Sequence, residues 1–267
     1  MPSGSPIHCG PASRRTPPGS REFFEQHRQV AIEDCFAGSI DARVFPGACN
    51  QNAVLDLGCG PGFWLVELTR RGCTEVVGAD LTFNAIKLAR QRCARYDVTA
   101  SFCQQDAERL GFADGSFAHV NCQGVIHHTP DTAACLGEIA RVLRPGGTAN
   151  ISVYYRNVFL RMWPVLRTLG RFLARCGAGM KGRGRENIYA IADVDELVRH
   201  FDGADNPIGK SYTRAQFLAM LHVHFEVEET FLHFFPARSL PFRLPRFLHR
   251  WLDRHTGFLI FARLRKP

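Results

Sequence analysis

Val54-Leu55-Asp56-Leu57-Gly58-Cys59-Gly60-Pro61-Gly62 is a short apolar run that gives way to glycine at every second position, followed by the apolar-rich Phe63-Trp64-Leu65-Val66. The run predicts a buried strand near 53–57 and the following stretch a helix over 61–71, with the glycines in the turn between them. Glycine has a physical task in such a turn: it permits positive φ and close backbone approach to a ligand, while the helix N-terminus offers unpaired N–H groups. A dinucleotide fingerprint would place its third glycine at 63, where this chain has Phe63, and the Gly-Lys-Ser/Thr ending of a P-loop is missing. The spacing therefore counts against NAD or FAD and against a P-loop nucleotide site.

Outward from this turn, short apolar runs alternate with helix-length segments, the pattern of a parallel sheet with crossover helices. Further strands are expected near 75–79, 99–104, 118–123 and 148–155, with helices over 83–95 and 131–143, the last ended by Arg144-Pro145-Gly146-Gly147. Each crossover is expected to be right-handed. Two β-like runs, Phe225–Phe235 and Gly257–Arg265, predict a terminal antiparallel hairpin. The expected fold class is α/β: a Rossmann-like, doubly wound, seven-stranded sheet with that hairpin and a mainly helical lid insertion. Its organisation reads as a disordered Pro/Ser/Gly-rich leader (1–20), a ligand-binding core with an N-terminal cover helix (21–155), a lid or substrate-recognition insertion (156–224), and the hairpin completing the sheet (225–267).

The 267 residues allow one sizeable core plus a subdomain, and no stretch approaches the ~20 apolar residues of a membrane span, so a soluble cytoplasmic protein is expected. The ten cysteines are scattered singly, without CxxC pairs; they read as reduced thiols, and no metal site is expected. The net charge of +8 is uneven: residues 1–155 carry 14 Lys/Arg against 15 Asp/Glu, and residues 156–267 carry 19 against 10. That asymmetry points to an acidic substrate, a membrane surface or a nucleic acid without choosing among them.

Asp80 ends the apolar run Val76-Val77-Gly78-Ala79, where a carboxylate at a strand tip can accept ribose hydroxyls. Gln104-Gln105-Asp106-Ala107 stands where the third strand ends, and Asn121-Cys122-Gln123-Gly124-Val125-Ile126-His127-His128 carries the fourth into its loop. With Asp56–Gly62, Asp80 and Leu143-Arg144-Pro145-Gly146-Gly147, these five motifs occur in order over roughly residues 50–155. Over that span the chain resembles the class I S-adenosylmethionine (SAM)-dependent methyltransferases, specifically the group whose methyltransferase domain is shared by ubiquinone-biosynthesis and other small-molecule enzymes.

The resemblance implies SAM as cofactor and S-adenosylhomocysteine as product. It implies that Asp56, Gly58, Cys59, Gly60 and Gly62 form the methionine-side turn, that Asp80 with Leu81 holds the ribose, and that Asp106 and Ala107 contact adenine. Gln123 is expected beside the sulfonium, and His128 on the cofactor side. His127 is the candidate general base, while Phe23, Phe24, Tyr154, Tyr155 and Arg156 are candidates for the acceptor pocket. Each has a plainer rival, since an aspartate at a strand end commonly caps a helix and an aromatic stripe commonly packs a core.

Between Arg156 and Arg185 there are eight Lys/Arg and no Asp or Glu. On a helical wheel Arg156, Arg167, Arg171 and Arg175 share one face, and Val158, Met162, Trp163, Val165, Leu166, Leu169, Phe172 and Leu173 oppose them. Two readings stay open: a lid whose apolar stripe packs on the core, which is favoured, and peripheral membrane contact through 158–175. The acidic turn 202–207 reads as turn chemistry, Thr213 as the cap of a helix 214–221, and Leu240–Trp251 as core or pocket lining. The leading function is methyl transfer to a small-molecule acceptor, anionic or partly apolar, in a biosynthetic pathway. The alternatives are a lipid or prenylated substrate at the membrane surface, and a non-catalytic SAM-sensing or RNA-binding module. No RNA-recognition signature is present, so no nucleic-acid partner is expected. Acceptor atom and oligomeric state are open.

Overall fold

The computed structural model describes residues 16–47, 53–175, 188–202, 207–237, 240 and 242–267. Most of the expected leader, and positions 203–206 of the acidic turn, lie outside the described residues.

Strands β1 (Val54–Leu57), β2 (Val76–Asp80), β3 (Ser101–Gln104), β4 (Phe117–Gln123) and β5 (Leu143–Tyr155) are parallel where they pair, and β7 (Glu226–His233) and β8 (Leu259–Arg265) close the order β3-β2-β1-β4-β5-β8-β7, both last pairings antiparallel. A two-residue strand, β6 (Ser211–Tyr212), pairs with the end of β5, so the sheet has eight strands rather than seven. This correction arises within the segment read as helical lid: β6 is too short to carry an alternation visible in sequence. The open sheet agrees with the doubly wound expectation, and the terminal hairpin forms as predicted.

Helices α1 (Arg21–Gln29), α2 (Phe63–Thr69), α3 (Phe83–Arg95), α4 (Thr132–Val142), α5 (Val158–Arg161), α6 (Trp163–Arg175), α7 (Val194–Asp202), α8 (Arg214–Leu221) and α9 (Arg246–Thr256) complete the described elements. β1 shows why its run lacks polar alternation: Val54 joins an apolar cluster on one face of the sheet with Leu65 and Ala89, whereas Leu55 and Leu57 join the other with Leu136 and Ile139. A sheet covered on both faces demands apolar residues at both phases of the pleat. α8 belongs to the second cluster, with Phe217 and Leu221 fully buried, and its N-terminus carries the capping box of Thr213 and Gln216.

Three further expectations change. Arg144–Gly147 does not stand apart as a turn but lies within β5 as an irregularity between Leu143 and Thr148, with Gly146 at φ +71°. Cys73 is buried and disulfide-bonded, so among the described cysteines the reduced reading holds for the six free thiols; single spacing in sequence does not reveal which cysteines the fold brings together. In the run Leu240–Trp251, Phe242, Phe247 and Trp251 are exposed rather than core, while His249 is buried.

Cover helix α1 begins at Ser20, whose side chain accepts from Phe23 N at 3.1 Å, and continues as a π-helical turn over Val30–Cys35. Arg92 of α3 anchors it. This guanidinium is buried with no carboxylate partner; it donates to Phe24 O at 3.0 Å, sits 3.2 Å from His27 Nδ1, and stacks 4.8 Å from the Phe24 ring. It also reaches Pro61 O at 3.3 Å, tying the cover helix to the glycine turn. Desolvation lowers its pKa to about 10, which leaves it charged at neutral pH.

Candidate cofactor and acceptor site

The C-terminal ends of β1, β2, β3 and β4 lie side by side, where an open α/β sheet keeps its ligand. Gly58, Gly60 and Gly62 adopt φ of +69°, +50° and +77°, a region costly for other residues. Gly58 N and Cys59 N donate to Ala79 O at 2.7 and 2.9 Å, and Gly60 N donates to Asp80 Oδ2 at 2.9 Å. The glycine turn is thereby fastened to the tip of β2. Asp80 Oδ1 also accepts from Thr82 N at 2.9 Å and Thr82 Oγ1 at 3.0 Å, so the carboxylate is held in place from both sides.

Beneath the turn runs a chain of buried polar groups. Asn121 Nδ2 donates to Asp56 Oδ1 at 2.7 Å, and Gln123 Nε2 donates to Asn121 Oδ1 at 3.0 Å and Asn150 O at 3.2 Å. Asp56 Oδ2 and Gln123 Oε1 are buried without a hydrogen-bond partner. Burial pushes the Asp56 carboxyl up to about 7; the hydrogen bond from Asn121 opposes the shift and the Asp80 charge adds to it.

That shift has a sign. The folded state binds the Asp56 proton more tightly than the unfolded chain, so stability is greatest below the unfolded value of 3.8 and is lost as pH rises towards about 7. Asp56→Asn removes the titration at nearly constant shape. Between about pH 5 and pH 7 the wild type is expected to lose on the order of 2 kcal/mol relative to the variant, read as the difference between their thermal-unfolding profiles. Parallel profiles would overturn it.

The remaining candidates are spread over three places. Asp106 closes a turn at the end of β3, its Oδ1 accepting from Glu108 N at 2.9 Å, and Ala107 is buried behind it. Leu81 is exposed beside Asp80, and Cys59 is buried with its thiol pKa pushed up by desolvation. His127 and His128 follow β4 in a short 3₁₀ turn, with ring centroids 4.1 Å apart, and His127 lies 4.4 Å from Tyr154. His127 is buried and its Nδ1 has no hydrogen-bond partner; burial, and then the neighbouring His128, hold its pKa well below the usual value and keep it neutral. His128 Nδ1 pairs with Ile208 O at 2.7 Å and Lys210 N donates to His127 O at 3.1 Å, so residues 208–210 clamp the pair.

Arg156 is engaged elsewhere: it donates to Asp195 Oδ1 at 2.9 Å and Ser211 Oγ at 3.1 Å, linking β5, β6 and α7. Tyr154 is buried and Tyr155 half-buried, while Phe24 is enclosed under Arg92 and Phe23 remains half-exposed. Sequence reasoning assigned no role to Asn121, Val125 or Arg92. An asparagine inside an apolar strand run was the available signal for the first; contacts of Val125 and Arg92 with the glycine turn have no local signature.

These features define a class of protein. Residues 54–147 match the family described as a methyltransferase domain, and over this segment the resemblance to the class I SAM-dependent methyltransferases is borne out. SAM is the cofactor that this family and fold imply. Among similar curated proteins, a ubiquinone biosynthesis O-methyltransferase of Alkalilimnicola ehrlichii is 33% identical over 112 residues, covering 42% of this chain and 45% of its own. A 2-methyl-6-phytyl-1,4-hydroquinone methyltransferase of Synechocystis is 32% identical over 180 residues, covering 62% and 52%. The chain spans about half the length of these relatives. A SAM-dependent methyltransferase structure from Methanosarcina mazei superposes with a TM-score of 0.56 at 20% identity, covering 80% of this chain and 92% of that one, which establishes likeness of fold.

The residues present fit that cofactor. A Cβ on Gly58 would collide with the methyl groups of Val125, and one on Gly62 would come within 3.0 Å of Ala89 Cα, so the turn is as narrow as a backbone cradle requires. The two unpartnered acceptors, Asp56 Oδ2 and Gln123 Oε1, suit a ligand carrying an ammonium group.

Proposed function

We propose that this chain is a SAM-dependent methyltransferase acting on a small-molecule acceptor in a biosynthetic pathway. The observation that supports this best is the junction of the positive-φ glycine turn with the strand-two carboxylate, through Gly60 N and Asp80 Oδ2 at 2.9 Å. In this reading Gly58, Cys59, Gly60 and Gly62, with Asp56 and Gln123 below them, hold the methionine end. Asp80 and Leu81 hold the ribose, Asp106 and Ala107 the adenine, and His128 borders the cofactor.

The bound sulfonium supplies an activated methyl group, and the protein's task is to align the acceptor and exclude water. Residues 156–224 serve as the recognition insertion on the core 21–155, and 225–267 complete the sheet; within the insertion α8 serves the core. Tyr154 and Tyr155 stand on the acceptor side at the end of β5, with Phe23 approaching from the cover helix, while Phe24, enclosed under Arg92, fixes that helix. Arg156 braces the insertion through Asp195. The name of one relative, a ubiquinone biosynthesis O-methyltransferase, favours an oxygen acceptor, whereas that of the other specifies a hydroquinone without an acceptor atom. A hydroxyl benefits from a base; His127 is the candidate, neutral and with a free Nδ1, although its burial makes it a weaker base than an exposed imidazole.

A lipid or prenylated acceptor is a second reading, favoured by the exposed apolar stripe along α6. Among the described residues no helix is long and apolar enough to cross a membrane, so such an acceptor would be met at the surface.

The test is incubation with methyl-labelled SAM and a fractionated extract of the source organism, against an Asp80→Ala control. Label in the aqueous phase supports a soluble metabolite, and label in the organic phase supports the second reading. Absence of Asp80-dependent transfer in every phase, with SAM binding demonstrated, overturns the enzyme in favour of a sensing module.

A further inference from the structure

Helix α6 presents three faces at 3.6 residues per turn. Trp163 and Gly170 are buried and turn towards the chain: the Trp163 ring stacks on Tyr189 at 5.9 Å and its Nε1 donates to Ile191 O at 2.9 Å. Arg167, Arg171 and Arg175 form a second stripe. The third stripe is apolar and open, with Val165 61%, Leu169 54%, Phe172 64% and Leu173 42% exposed, continued by Val158 and Met162. The lid reading placed this stripe on the core; only its Trp163–Leu166–Gly170 edge packs there.

Helix α9 repeats the design. Phe247 is 76% and Trp251 53% exposed, with Arg250 and Arg254 on the same helix, while Arg246 is paired with Glu33. Its one acidic residue, Asp253, is buried against His233 Nδ1 at 2.6 Å. The end of α9 meets the start of α5, which leads into α6: Asn157 Nδ2, the cap of α5, donates to Thr256 O, at the foot of α9, at 2.9 Å.

We propose that the open apolar stripe of α5–α6, together with Phe247 and Trp251 of α9, docks the protein on an anionic phospholipid surface. Charge decides the occupant. Residues 157–175 contain no acidic side chain to complement their arginines, so a second copy laid on the same face would set like charges together, which is unfavourable. An anionic bilayer provides both an apolar layer for the stripe and phosphates for the arginines beside it. Docking rests on this surface alone and holds whether or not the methyl-transfer reading does.

The experiment is sedimentation of the full chain with vesicles of phosphatidylcholine, alone or mixed with phosphatidylglycerol. Binding to the mixed vesicles and not to the neutral ones is expected. Leu169→Ser combined with Phe172→Ser should lower the partition about tenfold or more, and Arg167→Gln with Arg175→Gln about fivefold per arginine. Circular dichroism checks that these surface variants fold. Vesicles should shift the tryptophan emission to the blue, and Trp251→Phe should remove that shift while preserving sedimentation. Wild-type protein remaining in the supernatant overturns the proposal, as does sedimentation unchanged in the Leu169/Phe172 variant. Loss of a dimer in that variant, without vesicle binding by the wild type, would assign the face to a second copy.

Discussion

Asp80→Ala is expected to weaken SAM binding about a hundredfold or more, measured by titration calorimetry, because two hydrogen bonds to an ionised acceptor are worth roughly 1.5–3 kcal/mol each. The carboxylate has a second duty, since it accepts from Gly60 N at 2.9 Å and from Thr82 N at 2.9 Å. Its removal would also free the glycine turn from β2. Asp80→Asn separates the two duties: one amide oxygen can still accept from the turn, while the charge and one acceptor are lost. An intermediate loss of about tenfold, with unfolding temperature near that of the wild type, would show that the charge is felt by the ligand. If alanine left the affinity within a few-fold of wild type, ribose recognition would have to be sought away from β2.

Gly58→Ala should cost the fold itself about 2–4 kcal/mol, from two independent sources. The residue sits at φ +69°, where a Cβ costs roughly 1 kcal/mol or more. The added methyl would also meet the side chain of Val125, which closes the turn from the β4 side. A double-mutant cycle distinguishes them: Val125→Ala in the same chain relieves the collision but not the backbone strain. Partial recovery of denaturant stability is therefore expected in the double variant, whereas SAM binding should stay impaired because Val125→Ala does nothing to correct the backbone of the cradle. Full stability of Gly58→Ala alone would contradict both sources.

Much of this was readable from residues near one another in the chain. Val54–Leu57 followed by alternating glycines determined strand, turn and helix, because burial on both faces favours apolar residues at both phases of the pleat, with Asp56 the one polar exception, and the turn requires positive φ at Gly58, Gly60 and Gly62. Asp80 at the tip of β2 and Asp106 at the end of β3 were readable for the same reason: strand ends are marked locally by where apolar residues stop. The capping box at Thr213 was likewise written in four consecutive residues. The core sheet and its parallel order followed from these signals.

Tertiary structure alone decided the rest. Arg156, one of the acceptor-pocket candidates, is joined to Asp195 thirty-nine positions away. Burial between the two covering layers pushes the Asp56 carboxyl up to about 7, with the Asn121 hydrogen bond opposing the shift and the Asp80 charge adding to it. Cys73 reads in sequence like the other cysteines and is alone among the described ones in being bridged. The stripe on α6 shows the reason most directly. Helical periodicity states that apolar residues share a face, and the same period serves a packed helix and an open one. Whether that face meets protein is set by distant residues such as Tyr189 and Ile191, which cover only its Trp163 edge, so the sequence determined the amphipathic helix and the fold determined that most of its apolar side is exposed.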